Sequence, residues 1–257
     1  MQQSLKITFL GTGTSSGVPM IACDCEVCTS TNAKDKRLRS SIKIETASTT
    51  IVIDTTPDFR YQMLRTNTKT LDGVVFTHPH KDHLAGLDDV RAYNLFSNQP
   101  MNLYANELTA NAIKKELYYA FTEEKHPGVP NLILNHIDTA KFVVGDIELL
   151  PIKVWHLKMP VLGFRINDFT YITDANKIDD EEKQKIVGSK VLVLNALRQQ
   201  QHISHYSLQE AIELANELQI SEVYFTHISH QMGLHNDINA TIPIHINLAY
   251  DGLVLNL

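Results

Sequence analysis

The sequence has little cysteine, little tryptophan and no long apolar segment. It contains 3 cysteines and 1 tryptophan among 257 residues. None of its hydrophobic runs approaches the roughly 18 consecutive apolar residues that a transmembrane helix requires, and its first residues lack the basic and apolar regions of a signal peptide. We therefore expect a cytoplasmic protein that does not enter a membrane.

An excess of positive charge is absent as well. The 23 basic and 29 acidic side chains give a net charge of −6, so no overall positive field attracts nucleic acid. A nucleic-acid partner is therefore not expected, and an anionic substrate would have to be attracted locally, by metal. With 43% hydrophobic residues the chain can bury a full core, and we expect residues 1–257 to form a single domain.

The densest group of metal-ligand side chains follows the apolar run Val74–Phe76. Within six residues the chain carries His78, His80, Asp82 and His83. An apolar run that stops at such a group predicts a buried strand with a helix beginning just behind it. The spacing places the first two histidines on one side of the loop and the last two residues on another, which suits two neighbouring metal ions. Imidazole and carboxylate ligands favour zinc, or manganese or iron when more oxygen ligands are present.

The pattern His78-x-His80-x-Asp82-His83 resembles the signature of the metallo-β-lactamase superfamily. The resemblance implies an α/β protein with a four-layer αββα sandwich. It also implies one or two metal ions at the edge of the two sheets. The remaining metal ligands must then come from other segments of the chain.

Three further predicted strands end in ligand-type residues. They end at His156, Asp174 and His227, and chance placement does not account for so many ligand-type residues at strand ends. Two divalent ions and two carboxylates leave a charge of about +2, which suits an anionic phosphodiester. Two adjacent metals can lower the pKa of a bridging water, so hydroxide attack on phosphorus is the expected chemistry. The resemblance assigns one metal to His78, His80 and His156, the other to Asp82, His83 and His227, and a bridging position to Asp174.

A glycine-rich segment, Gly11–Pro19, follows the first predicted strand. Its pattern matches neither a nucleotide P-loop nor a dinucleotide fingerprint, so a structural turn and a direct ligand contact both stay open. Opening strands that end in Gly-Thr-Gly-Thr-Ser resemble one branch of the superfamily. That branch holds the transfer-RNA 3′ processing nucleases and the cyclic phosphodiesterases of phosphonate metabolism.

All three cysteines lie in a loop predicted at residues 20–30. Cys23, Cys25 and Cys28 fall within six residues, and their odd number and a reducing compartment argue against a disulfide. Three thiols can supply three corners of a tetrahedral zinc site, and a chance cluster of buried thiols is the alternative. The element resembles the structural zinc loop of the cyclic phosphodiesterases, and the resemblance makes His230 the fourth ligand.

A proton donor for the leaving group is predicted just ahead of a helix. Ser207 and Glu210 have capping-box spacing, which predicts a helix that begins there. The position of His205 resembles that of the non-ligand histidine that protonates the leaving oxygen in the same branch, and a group that titrates near neutrality suits this task. We assign catalysis to His205 and to the metal ligand Asp82. His202 is the competing candidate, and a structural role for both histidines is a further alternative.

Several residues are candidates for supporting roles. Asp54 ends a predicted strand, where an acid can orient ligand histidines by hydrogen bonding, and a turn-forming role is the alternative. Arg91, His202 and His235 are possible substrate contacts. An ion pair with Asp88 is the more ordinary use of Arg91.

Three expectations concern the architecture. We expect separate strands at Ile147–Leu150 and Ile152–Trp155, and a surface loop at residues 122–130 that leans over the site. The segments 244–250 and 252–255 are expected to close the second sheet.

The expected function is that of a metal-dependent phosphodiesterase acting on small cyclic phosphates, such as a ribosyl 1,2-cyclic phosphate or 2′,3′-cyclic nucleotides. The alternatives are a transfer-RNA 3′ endonuclease, a lactam or thioester hydrolase, and a non-catalytic cofactor-binding member of the same fold. The acidic net charge and the lack of a long basic arm argue against the endonuclease. Relatives in the resembled family are often homodimers.

Overall fold

The structure is a computed structural model that describes residues 4–123 and 128–257. Residues 1–3 lie outside these ranges. Residues 124–127 of the loop predicted at 122–130, which include His126, also lie outside them. The strands are β1 Lys6–Gly11, β2 Ser41–Glu45, β3 Thr50–Ile53, β4 Gly73–Val75, β5 Met101–Ala105, β6 Leu132–His136, β7 Phe142–Val144, β8 Ile147–His156, β9 Met159–Ile166, β10 Phe169–Tyr171, β11 Lys177–Ile178, β12 Val191–Asn195, β13 Glu222–Thr226, β14 Ile246–Leu248 and β15 Val254–Asn256. The α-helices are α1 Glu26–Thr29, α2 Phe59–Arg65, α3 Lys81–Leu84, α4 Arg91–Ser97, α5 Glu107–Glu116, α6 Asp180–Ile186, α7 Leu208–Glu217 and α8 His235–Thr241.

The strands form two mixed sheets that pack face to face. The first sheet has the order β15-β1-β2-β3-β4-β5-β6, and the second has the order β11-β8-β9-β10-β12-β13-β14, with β7 paired to β8. Side chains of α2 and α5 pack on the outer face of the first sheet. Side chains of α6, α7 and α8 pack on the outer face of the second. The predicted α/β four-layer sandwich is therefore confirmed.

The core between the two sheets is formed by the side chains that point inward from the strands of each sheet. Ile7 and Phe9 of β1 meet Phe164 of β9 and Tyr171 of β10 in one buried cluster. Strand β12 is different, because all five of its residues are buried. It lies between two parallel neighbours and is covered on both faces, which explains its continuous apolar run.

Two expectations about strands were wrong. Pro151 does not divide the segment at 147–156, which is one continuous strand, β8. On one edge of β8, strand β7 pairs with residues up to Leu149 and strand β11 pairs with residues from Val154 onward. Pro151 lies in the gap between these two pairings, so its missing N–H costs no hydrogen bond to a neighbouring strand on that edge. The last strand, β15, pairs antiparallel with β1 and therefore extends the first sheet and not the second.

Five strands deliver side chains to one edge of the sandwich. Asp54 follows β3, His78 lies beyond β4, His156 ends β8, Asp174 lies beyond β10 and His227 follows β13. The turn behind the histidine motif is closely packed, because a Cβ added at Gly86 would lie 2.0 Å from the carbonyl oxygen of Thr56. In the described ranges no helix is long and apolar enough to cross a bilayer.

Candidate metal centre and active site

One half of the candidate metal centre is formed by two carboxylates and two histidines. One potential ligand atom from each of Asp82, His83, Asp174 and His227 lies within 4.8 Å of all the others. Nε2 of His83 is 3.2 Å from Oδ2 of Asp82 and 3.2 Å from Oδ2 of Asp174. Nδ1 of His227 is 3.1 Å from the same oxygen of Asp174. Four residues from three separate segments therefore converge on one point.

The other half is formed by the histidines predicted for the second metal. The ring of His78 lies 4.7 Å from that of His80 and 6.0 Å from that of His156, between centroids. The rings of His80 and His156 are 5.1 Å apart. His156 also shares a group of potential ligand atoms with Asp174 and His205. Asp174 thus belongs to both halves.

Unpaired buried nitrogens show that this arrangement fits divalent cations. Nε2 of His78 and Nε2 of His83 are buried and have no hydrogen-bond partner among the described residues. A buried polar atom without a partner costs about 1–3 kcal/mol. The His83 nitrogen lies near two carboxylate oxygens but outside hydrogen-bonding geometry, and a shared cation would satisfy all three groups.

In His78, His83 and His156 the Nδ1 atom contacts another protein group. This contact orients each ring, so that its Nε2 atom points toward the centre. Nδ1 of His83 donates to Oδ2 of Asp54 at 2.7 Å, and Nδ1 of His156 donates to the carbonyl of Ser204 at 2.8 Å. Asp54 also accepts from the N–H of Thr77 at 2.9 Å and from its hydroxyl at 2.7 Å. The same hydroxyl lies 2.9 Å from Nδ1 of His78. Asp54 therefore connects β3 to both ends of the histidine loop.

Sequence reasoning missed three of these orienting groups. Thr77 and Ser204 carried no signal beyond their positions next to predicted ligands. Thr14, in the glycine-rich segment, places its hydroxyl 3.2 Å from Nε2 of His227. The structure thus gives the glycine-rich segment a contact to a histidine of the cluster, at a sequence separation of 213 residues.

Three residues at the strand ends adopt the left-handed backbone conformation. The φ angles are +67° for Asp54, +55° for Asp174 and +56° for His227. This region is uncommon for residues other than glycine and costs on the order of 1–3 kcal/mol. The surrounding hydrogen bonds keep these side chains turned toward the centre in spite of that cost.

The electrostatics of the centre follow from burial and from the close approach of opposite charges. Burial alone would raise the pKa of Asp174, but His227 and His83 outweigh it and hold this pKa well below its usual range. Burial lowers the pKa of His227 to about 4 against the opposing effect of Asp174. An ionised carboxylate and a neutral imidazole are the forms that bind metal.

The candidate proton donor lies beside Asp174. Nε2 of His205 donates to Oδ1 of Asp174 at 3.0 Å. Its Nδ1 lies 3.1 Å from the hydroxyl of Ser204 and 3.3 Å from Nδ1 of His202. The capping box of Ser207 and Glu210 begins α7 and fixes the segment that carries His205. Both candidate histidines therefore lie together at the centre.

The three cysteines and His230 also converge. Nδ1 of His230 is 3.3 Å from Sγ of Cys23 and 3.3 Å from Sγ of Cys25, and Cys28 belongs to the same group of potential ligands. The N–H of Cys28 and then His230 lower the pKa of the Cys25 thiol to about 6. Burial raises the pKa of the Cys28 thiol to about 11. Four nitrogen and sulfur atoms at one point fit a tetrahedral structural zinc site.

Two predicted substrate contacts are not brought to this centre. Arg91 pairs with Asp88 at 3.1 Å on the surface of α4. His235 is buried in another place, where its Nδ1 accepts from Nη2 of Arg37 at 3.2 Å and its N–H donates to Oδ1 of Asp35 at 2.7 Å. The structure therefore offers both residues partners outside the histidine cluster.

The chain is similar to known proteins both in sequence and in fold. A family model described as a beta-lactamase superfamily domain matches residues 49–228. The octanoyltransferase of Porphyromonas gingivalis is 36% identical over 252 residues, which cover 97% of this chain and 51% of that protein. The chain thus spans about half the length of this curated relative.

Solved structures extend the comparison. A diphosphatase of the PhnP family superposes with a TM-score of 0.94 at 36% identity, covering 100% of this chain and 98% of that one. The short form of human tRNase Z superposes with a TM-score of 0.69 at 18% identity, covering 97% and 98%. At that identity the likeness concerns the fold alone.

The family model covers most of the chain and includes the histidine motif from His78 to His83. The chain belongs to the beta-lactamase superfamily. Within it, 36% identity over nearly the full length of the diphosphatase places the chain in the PhnP family. The resemblance identified in the sequence is therefore confirmed.

Proposed function

We propose that the chain is a phosphodiesterase with a dinuclear metal centre. Its substrates are small phosphodiesters such as a ribosyl 1,2-cyclic phosphate or 2′,3′-cyclic nucleotides. The position of Asp174 carries this proposal. Its Oδ2 lies 3.2 Å from Nε2 of His83 and 3.1 Å from Nδ1 of His227, while its Oδ1 lies 3.0 Å from Nε2 of His205. One carboxylate thus joins a set of metal-ligand nitrogens to a candidate proton donor.

The proposal assigns the clustered side chains to two metal sites. When bound, two divalent ions would neutralise charge on the phosphoryl oxygens and activate water, and the mixture of imidazole and carboxylate suits zinc or manganese. One site comprises His78, His80 and His156, the other comprises Asp82, His83 and His227, and Asp174 serves both. A structural zinc would be held by Cys23, Cys25, Cys28 and His230.

His205 has the task of protonating the leaving oxygen. An alkoxide is a poor leaving group, so a positioned acid lowers the barrier to its departure. Asp174 accepts from Nε2 of His205 and holds the ring toward the centre. Ser204 contacts the same ring at Nδ1 and also holds His156 through its carbonyl. The proton donor and a metal ligand are therefore positioned by one residue.

Substrate turnover by protein of known metal content tests the proposal. We expect metal-loaded protein to hydrolyse bis(p-nitrophenyl) phosphate and 2′,3′-cyclic AMP, to lose this activity on chelation and to regain it with zinc or manganese. Cleavage of precursor transfer RNA alone would favour the endonuclease alternative. If protein carrying two active-site ions per chain cleaves no phosphodiester, the enzymatic proposal is wrong and a cofactor-binding role is favoured.

A further inference from the structure

We propose that His227 binds its metal ion through Nδ1, and that the hydroxyl of Thr14 holds it in this orientation by accepting a hydrogen bond from the opposite ring nitrogen, Nε2–H. This inference rests on the proposed function, since it concerns a ligand of the proposed metal centre. It makes Thr14, in the glycine-rich segment, a positioning residue of that centre.

The ring of His227 is turned the opposite way from that of His83. In His83, Nδ1 donates to Oδ2 of Asp54 at 2.7 Å, and Nε2 lies 3.2 Å from Oδ2 of Asp174. In His227 it is Nδ1 that lies 3.1 Å from this oxygen of Asp174, and Nε2 lies 3.2 Å from Oγ1 of Thr14. The nitrogen that His227 presents to the carboxylate shared by both halves of the centre is therefore Nδ1.

Two stacked imidazoles fix the plane of the His227 ring. The ring of His83 lies 5.7 Å away at an interplanar angle of 13°, and the ring of His205 lies 5.0 Å away at 14°. A half-turn within this plane would place the carbon Cδ2 toward Asp174 and the carbon Cε1 toward Thr14, and both polar contacts would be lost. The contacts of the two nitrogens therefore select the orientation of the ring.

Backbone hydrogen bonds hold Thr14 against this ring. The N–H of Thr14 donates to the carbonyl of Ile228 at 3.1 Å. The hydroxyl of Ser40 donates to the carbonyl of Gly13 at 3.0 Å and accepts from the N–H of His227 at 3.1 Å. The residues next to both partners are thus joined, so the distance from Oγ1 to Nε2 is set by the fold and not by a free side chain.

The proton of the imidazole must lie on Nε2 when Nδ1 binds a metal. A neutral imidazole carries one N–H, and a metal takes the lone pair of the other nitrogen. Thr14 is 7% exposed, and its Oγ1 is the hydrogen-bond partner that the described residues offer to Nε2. The hydroxyl of Thr173 lies 3.5 Å from the other nitrogen, Nδ1, and donates to Oδ2 of Asp174 at 2.6 Å. Without the hydroxyl of Thr14 the N–H would be buried without a partner, which is unfavourable.

Nuclear magnetic resonance of the zinc-loaded full chain, labelled with ¹⁵N in its histidines, identifies the nitrogen that binds metal. The signals of His227 are those missing from His227→Gln. We expect Nε2 of His227 to carry the proton and Nδ1 to have the shift of a zinc-bound nitrogen. A protonated Nδ1 with zinc on Nε2 would overturn the proposal. This measurement uses the wild type, so it does not depend on the folding of a variant.

Zinc affinity tests the role of Thr14. Thr14→Val, which keeps the shape of the side chain, and Thr14→Ala should each raise the dissociation constant of an active-site zinc about tenfold to a hundredfold. Thr14→Ser keeps the hydroxyl and should stay near the wild-type value. Thr109→Val is the matched control, because Oγ1 of Thr109 is buried on α5 without a partner among the described residues. Competition with a chelator measures these constants.

Wild-type affinity in both Thr14→Val and Thr14→Ala, or an equal loss in Thr14→Ser or Thr109→Val, would overturn the role of the hydroxyl. The two proposals fail differently. Turnover of bis(p-nitrophenyl) phosphate by protein in which zinc binds Nε2 of His227 supports the phosphodiesterase and rejects this inference alone. If protein with zinc on Nδ1 cleaves no phosphodiester, the phosphodiesterase proposal fails while the assignment of the nitrogen stands.

Discussion

Asp54 and His83 form a buried pair in which Nδ1–H of the imidazole donates to Oδ2 of the carboxylate at 2.7 Å. We expect Asp54→Asn to weaken metal binding about tenfold to a hundredfold, since partners of this kind orient a ligand ring and raise its basicity. Titration of metal-free protein with zinc measures the effect. Asparagine tolerates the left-handed conformation at +67°, so the variant tests the charge and not the backbone. Asp58→Asn, which removes the partner of Arg39, is the control. Equal zinc affinity in Asp54→Asn and wild type would contradict this role.

His205 is expected to act on the leaving oxygen and not as a metal ligand. His205→Ala should lower kcat about 10²–10⁴-fold for 2′,3′-cyclic AMP, and much less for bis(p-nitrophenyl) phosphate, whose leaving group needs no proton. Metal content should stay at the wild-type value. Elemental analysis and steady-state kinetics on both substrates check these outcomes, with His136→Ala, an exposed histidine of β6, as the control. Loss of one ion per chain would instead make His205 a ligand, together with His156 and Asp174.

The cysteine loop is expected to hold one zinc that supports folding. Cys25→Ser should remove about one zinc per chain and lower Tm by several degrees, because a structural zinc contributes to folding and each 1 kcal/mol lost corresponds to about 2–4 °C in a domain of this size. The two active-site ions should remain. Elemental analysis and calorimetry measure both quantities, and Ser16→Ala, an exposed serine of the adjoining segment, is the control. Unchanged zinc content in Cys25→Ser would show that the thiols do not hold a metal.

The buried pair of His235 and Arg37 predicts a loss of stability in acid. Burial, and then the charges of Arg37 and Lys34, lower the pKa of His235 to about 4, with Asp35 acting in the opposite direction. A histidine in an unfolded chain has a pKa of about 6.5. As the pH falls below this value, His235 binds a proton in the unfolded chain but not in the folded chain. The free energy of unfolding therefore decreases until the pH falls below the pKa of His235 in the folded protein.

Replacement of this histidine isolates its contribution. From pH 7.5 to pH 5 the wild type should lose about 2 kcal/mol of its free energy of unfolding through His235, and His235→Gln should not show this loss. Urea denaturation at both pH values measures the difference between variant and wild type. His245→Gln serves as the control. Parallel pH dependence in wild type and His235→Gln would exclude His235 as the titrating group.

The local parts of the centre were predictable from the sequence. The motif from His78 to His83 and the apolar runs that end at His156, Asp174 and His227 are short-range patterns. Strand burial and ligand chemistry predict these strand ends, and the family resemblance supplies the assignment of the residues to two metals.

What the sequence left open depends on contacts between distant segments. The bond between Thr14 and His227 joins residues 213 positions apart. The left-handed conformation of Asp174 could not be predicted either, because aspartate adopts this region more readily than most residues but still prefers an extended end. Likewise, the buried partners of His235 come from another segment, so its environment could not be read from its neighbours in the chain.

Ile228 stands between His227 and His230, and its backbone exchanges hydrogen bonds with Thr12 and Thr14. One short segment of chain thus carries both the histidine beside the thiols and the histidine beside Asp174. Cys25 is the exposed member of that loop. If the proposed zinc is bound there, oxidation of the Cys25 sulfur would remove one of its ligands and loosen the segment that also carries His227.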